Sequence, residues 1–457
     1  MRIETINPAT EEILQTYETM PRSQVEEVAA RSHDAFLAWR RLCVAERAPR
    51  FTALADVLRR RQEEYARTIT LEMGKPIVES RAEVAKCAFL CDVYAERVEE
   101  WLRDEIVAAD GKQHRVVFEP LGVILSIMPW NFPFWQALRF GVPALIAGNT
   151  SVLKHASNVP RCALAIEGAF HEAGFPPDAF RVVFADHEAV GALIEGGIVR
   201  GVSLTGSTAA GARIAEGAGR ALKTIVLELG GSDPFIVLED ADVELTAQRA
   251  VQGRMVAAGQ SCIAAKRFIV TENLADDFTR RFAERMAALV AGDPLDDRTQ
   301  VGPVVNGAAL RELEAQLADS VAQGARVVTG GARLPRPGYY FAPTVVAAVR
   351  PEMRIAAEEV FGPIAPVLVV RDEDAAVALA NASEYGLGGS VWTRDLARGV
   401  RVARRLEAGT TFVNGVVKSD PRMPFGGVKK SGVGRELSYH GLRAFVNVKG
   451  ISVYEHA

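Results

Sequence analysis

The segment AAGQSCIAAK, residues 257–266, surrounds Cys262 with side chains almost all too small to pack around a thiol. A structural cysteine is normally wedged among bulky apolar neighbours, whereas a thiol that meets a substrate needs open space. Two further residues supply what thiol chemistry on a carbonyl group requires. Glu228 in VLELGG offers a carboxylate that can take a proton from water, and Asn131 in MPWNFPFW offers amide N–H groups to a tetrahedral oxyanion. Nucleophile, base and oxyanion donor together describe acyl transfer through a thioester. The three lie far apart in the chain, and only the fold can bring them together.

The 457-residue chain is 49% hydrophobic and 24% charged, with a formal net charge of −4. That is the balance of a packed globular protein of several domain-sized units, and it gives neither nucleic acid nor an anionic membrane a reason to bind. The cysteines, Cys43, Cys87, Cys91, Cys162 and Cys262, are odd in number and scattered, which argues for a reducing cytoplasm rather than a disulfide framework. Cys87 and Cys91 share a helix face without a histidine nearby, so they are expected in the core and no metal site is expected. The start, MRIETINPATEEI, lacks the apolar run of a signal peptide. The apolar stretch 121–148 is interrupted by Pro129, Pro133 and Pro143 and carries Arg139, which suits buried core beside a site better than a membrane span.

Residues 23–104 read as long amphipathic helices after a short strand-like start. From about 114, apolar runs of strand length alternate with helices: VVFEPLGVILSIMP, TSVLKHA, RVVFA, GVSLTGS and TIVLELGG. A second series follows Gly231: DPFIVLED, KRFIVTEN, ARVVTGG, APTVVAAV, APVLVVRD and TTFVNG. Continuous apolar strands separated by helices predict an α/β protein with parallel sheets covered on both faces, divided near residue 230. The final VNVKGISVYEHA reads as a strand that pairs with the 114–119 strand or with another subunit. In SLTGSTAAG a strand gives way to a helix, and the Gly206-Ser207 turn can bring backbone N–H groups to a phosphate. Its glycine spacing is not that of the usual dinucleotide fingerprint.

MPWNFPFW, VLELGGSDP, AAGQSCIA, EEVFGPI and MPFGGVKKSGVGRE, in this order, resemble the signature segments of the aldehyde dehydrogenase superfamily over nearly the whole chain. EMGKPIVESRAEVAKCAF, SVLKHASNVP, GQSCIAAKRF and the KSD at 418–420 further resemble bacterial succinate-semialdehyde dehydrogenases. The resemblance implies an atypical Rossmann cofactor domain (1–107 and 120–230), a catalytic α/β domain (231–432) and a small β oligomerisation element (108–119 and 433–457), in a cytoplasmic homodimer or homotetramer. It implies Cys262 as nucleophile, Asn131 and the Cys262 N–H as oxyanion donors, and Glu228 as the base that activates water. Trp130, Lys154, Ser157, Gly206 and Ser207 would contact the cofactor, with Glu359 and Phe361 at the nicotinamide ribose. Arg139, Trp135 and Ser419 would hold the substrate, Arg139 and Ser419 at its carboxylate.

The implied reaction is NAD(P)-dependent oxidation of succinate semialdehyde to succinate through a thiohemiacetal and a thioester. The other readings are a dehydrogenase for glutarate semialdehyde or aliphatic aldehydes, a CoA-acylating variant, and a catalytically silent relative with a structural role. Ser157 stands where many NAD-using relatives carry a glutamate on the adenosine ribose. A carboxylate there would repel the 2′-phosphate of NADP, so NADP is expected to be preferred, with NAD usable. Ala264 stands where some relatives have a second cysteine, which removes a disulfide switch. Arg254 does not match the arginine that some relatives use for substrate. The spacing of Asn131, Trp135 and Arg139 predicts that they line one helix face.

Overall fold

In the computed structural model, which describes residues 2–455, a hairpin of Arg2–Ile6 and Ile13–Glu18 leads into four helices: Arg22–Trp39, Val44–Arg60, Gln62–Met73 and Ile77–Trp101. Each turns apolar residues at helical spacing inward, as Val25, Val28, Ala29 and Phe36 do in the first. The buried face of Ile77–Trp101 carries Val84, Cys87, Leu90 and Cys91, and also the carboxylate of Glu83. Cys87, Cys91 and Cys162 are buried free thiols packed in this core, while Cys43 is exposed.

Five parallel strands form the first sheet, in the order Phe180–Val182, Thr150–His155, Val123–Met128, Val199–Thr205 and Thr224–Glu228. Gly432–Val433 joins its edge antiparallel to Thr224–Glu228. Winding reverses between Val123–Met128 and Val199–Thr205, and such a switch point opens a crevice beyond the C-terminal ends of the two strands. Trp130 and Asn131 follow one of them; Gly206 and Ser207 follow the other.

The second sheet runs Arg326–Thr329, Thr344–Ala347, Ile364–Val370, Ala265–Thr271, Asp233–Val237, Gly388–Trp392 and Thr410–Val413. It is parallel except for its outermost pair, Arg326–Thr329 with Thr344–Ala347. Gly388–Trp392 has no counterpart among the strands read from hydrophobic pattern, because YGLGGSVW looks like a glycine-rich turn. Its glycine answers to packing: a Cβ on Gly388 would lie 2.4 Å from Asp233 Oδ2. Val446–Val453 pairs antiparallel with Gln113–Pro120, whose other side takes Glu105–Val107. The apolar stretch 121–148 folds as the strand Val123–Met128 and the wholly buried helix Pro133–Ile146. Among the described residues no helix is long and apolar enough to cross a membrane.

Candidate active site

The loop that carries Cys262 is built on an unusual backbone. After the helix Val243–Met255, Ala257 and Ala258 both take the left-handed conformation, with φ of 52° and 54°. A Cβ in that region costs roughly 1–2 kcal/mol per residue. The surroundings enforce it: the Ala257 N–H donates to Glu79 Oε2 at 2.8 Å, and Gly259 backs onto the Gly362 carbonyl, where a Cβ would come within 2.3 Å. Lys266 Nζ donates to the carbonyls of Ser261 at 2.9 Å and Cys262 at 2.6 Å, and Asn131 Nδ2 donates to the Gln260 carbonyl at 2.9 Å. The loop is therefore held from three sides, with Cys262 half-buried at a cavity of about 320 Å³.

Buried Arg254, which has no role in the sequence reading, ties this loop to the Glu359–Phe361 segment. Its guanidinium donates to the carbonyls of Ala265 at 3.0 Å, Val360 at 2.9 Å and Gly362. It braces the site rather than lining it.

The helix Pro133–Ile146 is positioned by its amino terminus. The N–H groups of Phe134 and Trp135 both donate to Glu83 Oε1 at 2.9 Å, and Glu83 is ion-paired with buried Lys75. Proline at the first helical position fixes the start, so Asn131 lies in the turn before the helix. The expected single face through Asn131, Trp135 and Arg139 is thus corrected: only Trp135 and Arg139 share the cavity wall with Cys262.

Arg139 differs from the free clamp that the sequence suggests. It is buried, ion-paired with Glu436, donates to Thr205 Oγ1 at 3.1 Å and lies 4.8 Å from the Phe425 ring centroid. Glu436 escaped the sequence reading because nothing in GVGRE announces a buried carboxylate. Arg139→Ala is expected to lower the unfolding free energy by about 3–5 kcal/mol, since Glu436 would keep a buried charge with no partner. Urea denaturation measures this, and an unchanged midpoint would show that the pair does not support the fold.

Protonation is set by burial. It pushes the Cys262 thiol up to about 11, while the charges of Arg139 and Lys266 pull the other way. The lowered thiol pKa that a nucleophile suggests is therefore absent here, and forming the thiolate requires a base. Burial also pushes Glu228 well above the usual carboxylate range, opposed by Arg139 and reinforced by Glu436. Both Glu228 oxygens are buried and accept no hydrogen bond from the described residues. The carboxylate rests on Gly426, where a Cβ would sit 2.7 Å from Oε1. A buried carboxylate with raised proton affinity, electrostatically coupled to the thiol, has the profile of a general base.

The expected cofactor residues flank the switch point. The Gly206 N–H donates to the Glu228 carbonyl at 3.0 Å, and Ser207 caps the helix Thr208–Arg220, its Oγ accepting from Ala210 at 3.3 Å. Lys154, at the end of Thr150–His155, is half-buried, has no ion pair among the described residues, and is held below its ordinary pKa by burial. Ser157 is exposed in the turn that follows. The rings of Trp130 and Phe361 meet edge to face at 5.8 Å. Glu359 accepts from the Gly231 N–H at 2.9 Å and lies 3.4 Å from Lys266 Nζ, beside the nucleophile's loop. Gly230 allows this approach, because a Cβ there would lie 2.5 Å from Glu359 Oε2. This set suits a dinucleotide: the amino terminus of the helix Thr208–Arg220, a cation with no ion pair among the described residues, and two aromatic rings.

The model of the aldehyde dehydrogenase family matches residues 1–451. The chain belongs to the aldehyde dehydrogenase family. It is 46% identical over 451 residues to a probable NADP(+) succinate-semialdehyde dehydrogenase of Synechocystis sp., covering 99% of both chains. To the succinate semialdehyde dehydrogenase [NAD(P)+] Sad of Escherichia coli K12 it is 46% identical, covering 98% of this chain and 97% of that one. The crystal structure of succinic semialdehyde dehydrogenase from Streptococcus pyogenes with NADP+ superposes with a TM-score of 0.97 at 37% identity, covering 99% of this chain and all of the other. Sequence reasoning missed Glu79, Glu83 and Lys86, which border the cavity from Ile77–Trp101. Their spacing of i, i+4 and i+7 is a readable signal: charged residues on one face of a helix.

Proposed function

We propose that this aldehyde dehydrogenase oxidises succinate semialdehyde to succinate, with NADP+ as the preferred hydride acceptor. The cavity carries the reading. Cys262 opens into a largely apolar space that also meets Trp135, Ser419 and the charged border of Arg139, a fit for a short carbon chain ending in a carboxylate. Relatives of this name and full-length similarity support it.

Glu228 takes the proton of the Cys262 thiol, and the sulfur attacks the aldehyde carbon to form a thiohemiacetal. Asn131 Nδ2 and the Cys262 N–H donate to the oxyanion as it develops. Bound nicotinamide supplies the acceptor for the hydride that leaves that carbon, so a thioester remains on Cys262. Glu228 releases that proton to solvent and then draws one from water, which attacks the thioester; the acid leaves, and the proton passes from Glu228 to the departing sulfur to restore the thiol.

Lys154 and Ser157 favour the 2′-phosphate of NADP: one offers a cation without an acidic partner among the described residues, and the other brings no opposing charge. Ser157→Glu is expected to shift the ratio of kcat/KM from NADP+ toward NAD+ by roughly 1–3 kcal/mol. An unchanged ratio would remove Ser157 from the adenosine ribose. The strand Val446–Val453 exposes Val448, Ile451 and Val453 beside an unpaired edge, which fits self-association through the small sheet.

The test is the rate of reduced-nicotinamide formation with succinate semialdehyde, glutarate semialdehyde and butanal, each with NADP+ and NAD+. Succinate semialdehyde with NADP+ should give the highest kcat/KM. Equal or better use of butanal would overturn the substrate reading, and equal use of NAD+ the cofactor reading.

A further inference from the structure

Two cations stand at the inner wall of the cavity, and they differ in one respect. Arg139 is already neutralised by Glu436 and bonded to Thr205. Among the described residues Lys86 has no carboxylate partner: Glu83, one turn before it, is taken by Lys75, and Asp420, beside Ser419, is taken by Arg422. Lys418, the other lysine bordering the cavity, is exposed.

Lys86 is nevertheless held in place. Its Nζ donates to Ser419 Oγ at 2.7 Å and lies 4.1 Å from the centroid of the Trp135 ring. An aromatic face and a hydroxyl orient an ammonium group without cancelling its charge. Burial, with the nearby Arg139 charge, lowers its pKa to about 8, which is the signature of a cation short of a counter-ion. An anion entering the cavity supplies that counter-ion.

We propose that Lys86, oriented by Ser419 and Trp135, makes the direct ion pair with the terminal carboxylate of the substrate, beside Arg139, whose charge Glu436 already balances. The assignment rests on the succinate-semialdehyde reading. It makes Lys86 a specificity-determining residue that acts on the far end of the substrate and leaves the reacting carbon to Cys262, Asn131 and Glu228. Ser419 keeps its expected place, and the cation at its side changes from Arg139 to Lys86.

The experiment compares kcat/KM for succinate semialdehyde and butanal in the wild type, Lys86→Met and Lys86→Arg. Lys86→Met should lose about 100-fold on succinate semialdehyde, mainly through KM, and less than about threefold on butanal. Lys86→Arg should recover most of the lost selectivity, because it restores a cation that a purely structural role would not need. Should Lys86→Met fail to fold, Lys86→Gln retains a donor to Ser419 and is read in the same way. Equal losses on both aldehydes, or selectivity kept without the charge, would overturn the role of Lys86 alone. A wild type with no preference for succinate semialdehyde over butanal would overturn the substrate reading, and this assignment with it.

Discussion

Cys262→Ala is expected to reduce turnover by about 10⁴-fold or more while leaving NADP+ affinity and the unfolding midpoint close to those of the wild type. The sulfur is the atom on which both intermediates form, and no other thiol borders the cavity: Cys87, Cys91 and Cys162 are buried in the core, and Cys43 lies at the surface. Alanine at 262 strains nothing, because its neighbours Ser261, Ile263 and Ala264 keep their backbone, and Lys266 binds carbonyl oxygens rather than the sulfur. The three buried cysteines should behave in the opposite way, with activity kept and stability lowered by a small cavity. Residual turnover well above a trace in Cys262→Ala, measured as reduced nicotinamide over hours, would remove Cys262 from the chemistry.

Glu228→Gln should separate the half-reactions. Glutamine keeps the shape against Gly426 but cannot accept a proton. With the thiol pushed up to about 11, thiolate must then come from the small fraction ionised in solution. The expected trace is one slow equivalent of NADPH per active site, followed by a steady state about 10²–10⁴-fold below wild type. Because raising the pH ionises more thiol, the rate of that first equivalent should climb about tenfold per pH unit until the thiol pKa is approached. Near-normal steady-state turnover would mean that Glu228 is not the base for hydrolysis. A pH-independent first equivalent would mean that the thiol is deprotonated by another group.

What could be read in advance follows from how local each feature is. Cys262 was singled out by its small neighbours, and Glu228 and Asn131 by the motifs that carry the family resemblance. The strands of both sheets were legible as apolar runs, except the two-residue edge strand Gly432–Val433 and Gly388–Trp392, where close approach to Asp233 demands glycine and erases the pattern. Arg139 was visible as a charge in an apolar helix, but its partner Glu436 lies far along the chain and meets it only when Gly432–Val433 docks on Thr224–Glu228. Lys86 was legible as a charge on one face of an amphipathic helix, but not in its role: that comes from Trp135 and Ser419, which no local pattern joins to it. The left-handed Ala257 and Ala258 were likewise illegible, since alanine there is imposed by Glu79 and the Gly362 carbonyl rather than by its own preference.

The claim at the centre is a thioester between the substrate's acyl group and Cys262. Mass spectrometry of Glu228→Gln, quenched in acid after one turnover with succinate semialdehyde and NADP+, measures it directly. The protein should gain the mass of the aldehyde less two hydrogens, and peptide mapping should place that gain on Cys262 within the AAGQSCIAAK segment. A stoichiometric equivalent of NADPH formed with no adduct, or with the adduct on another residue, would contradict it.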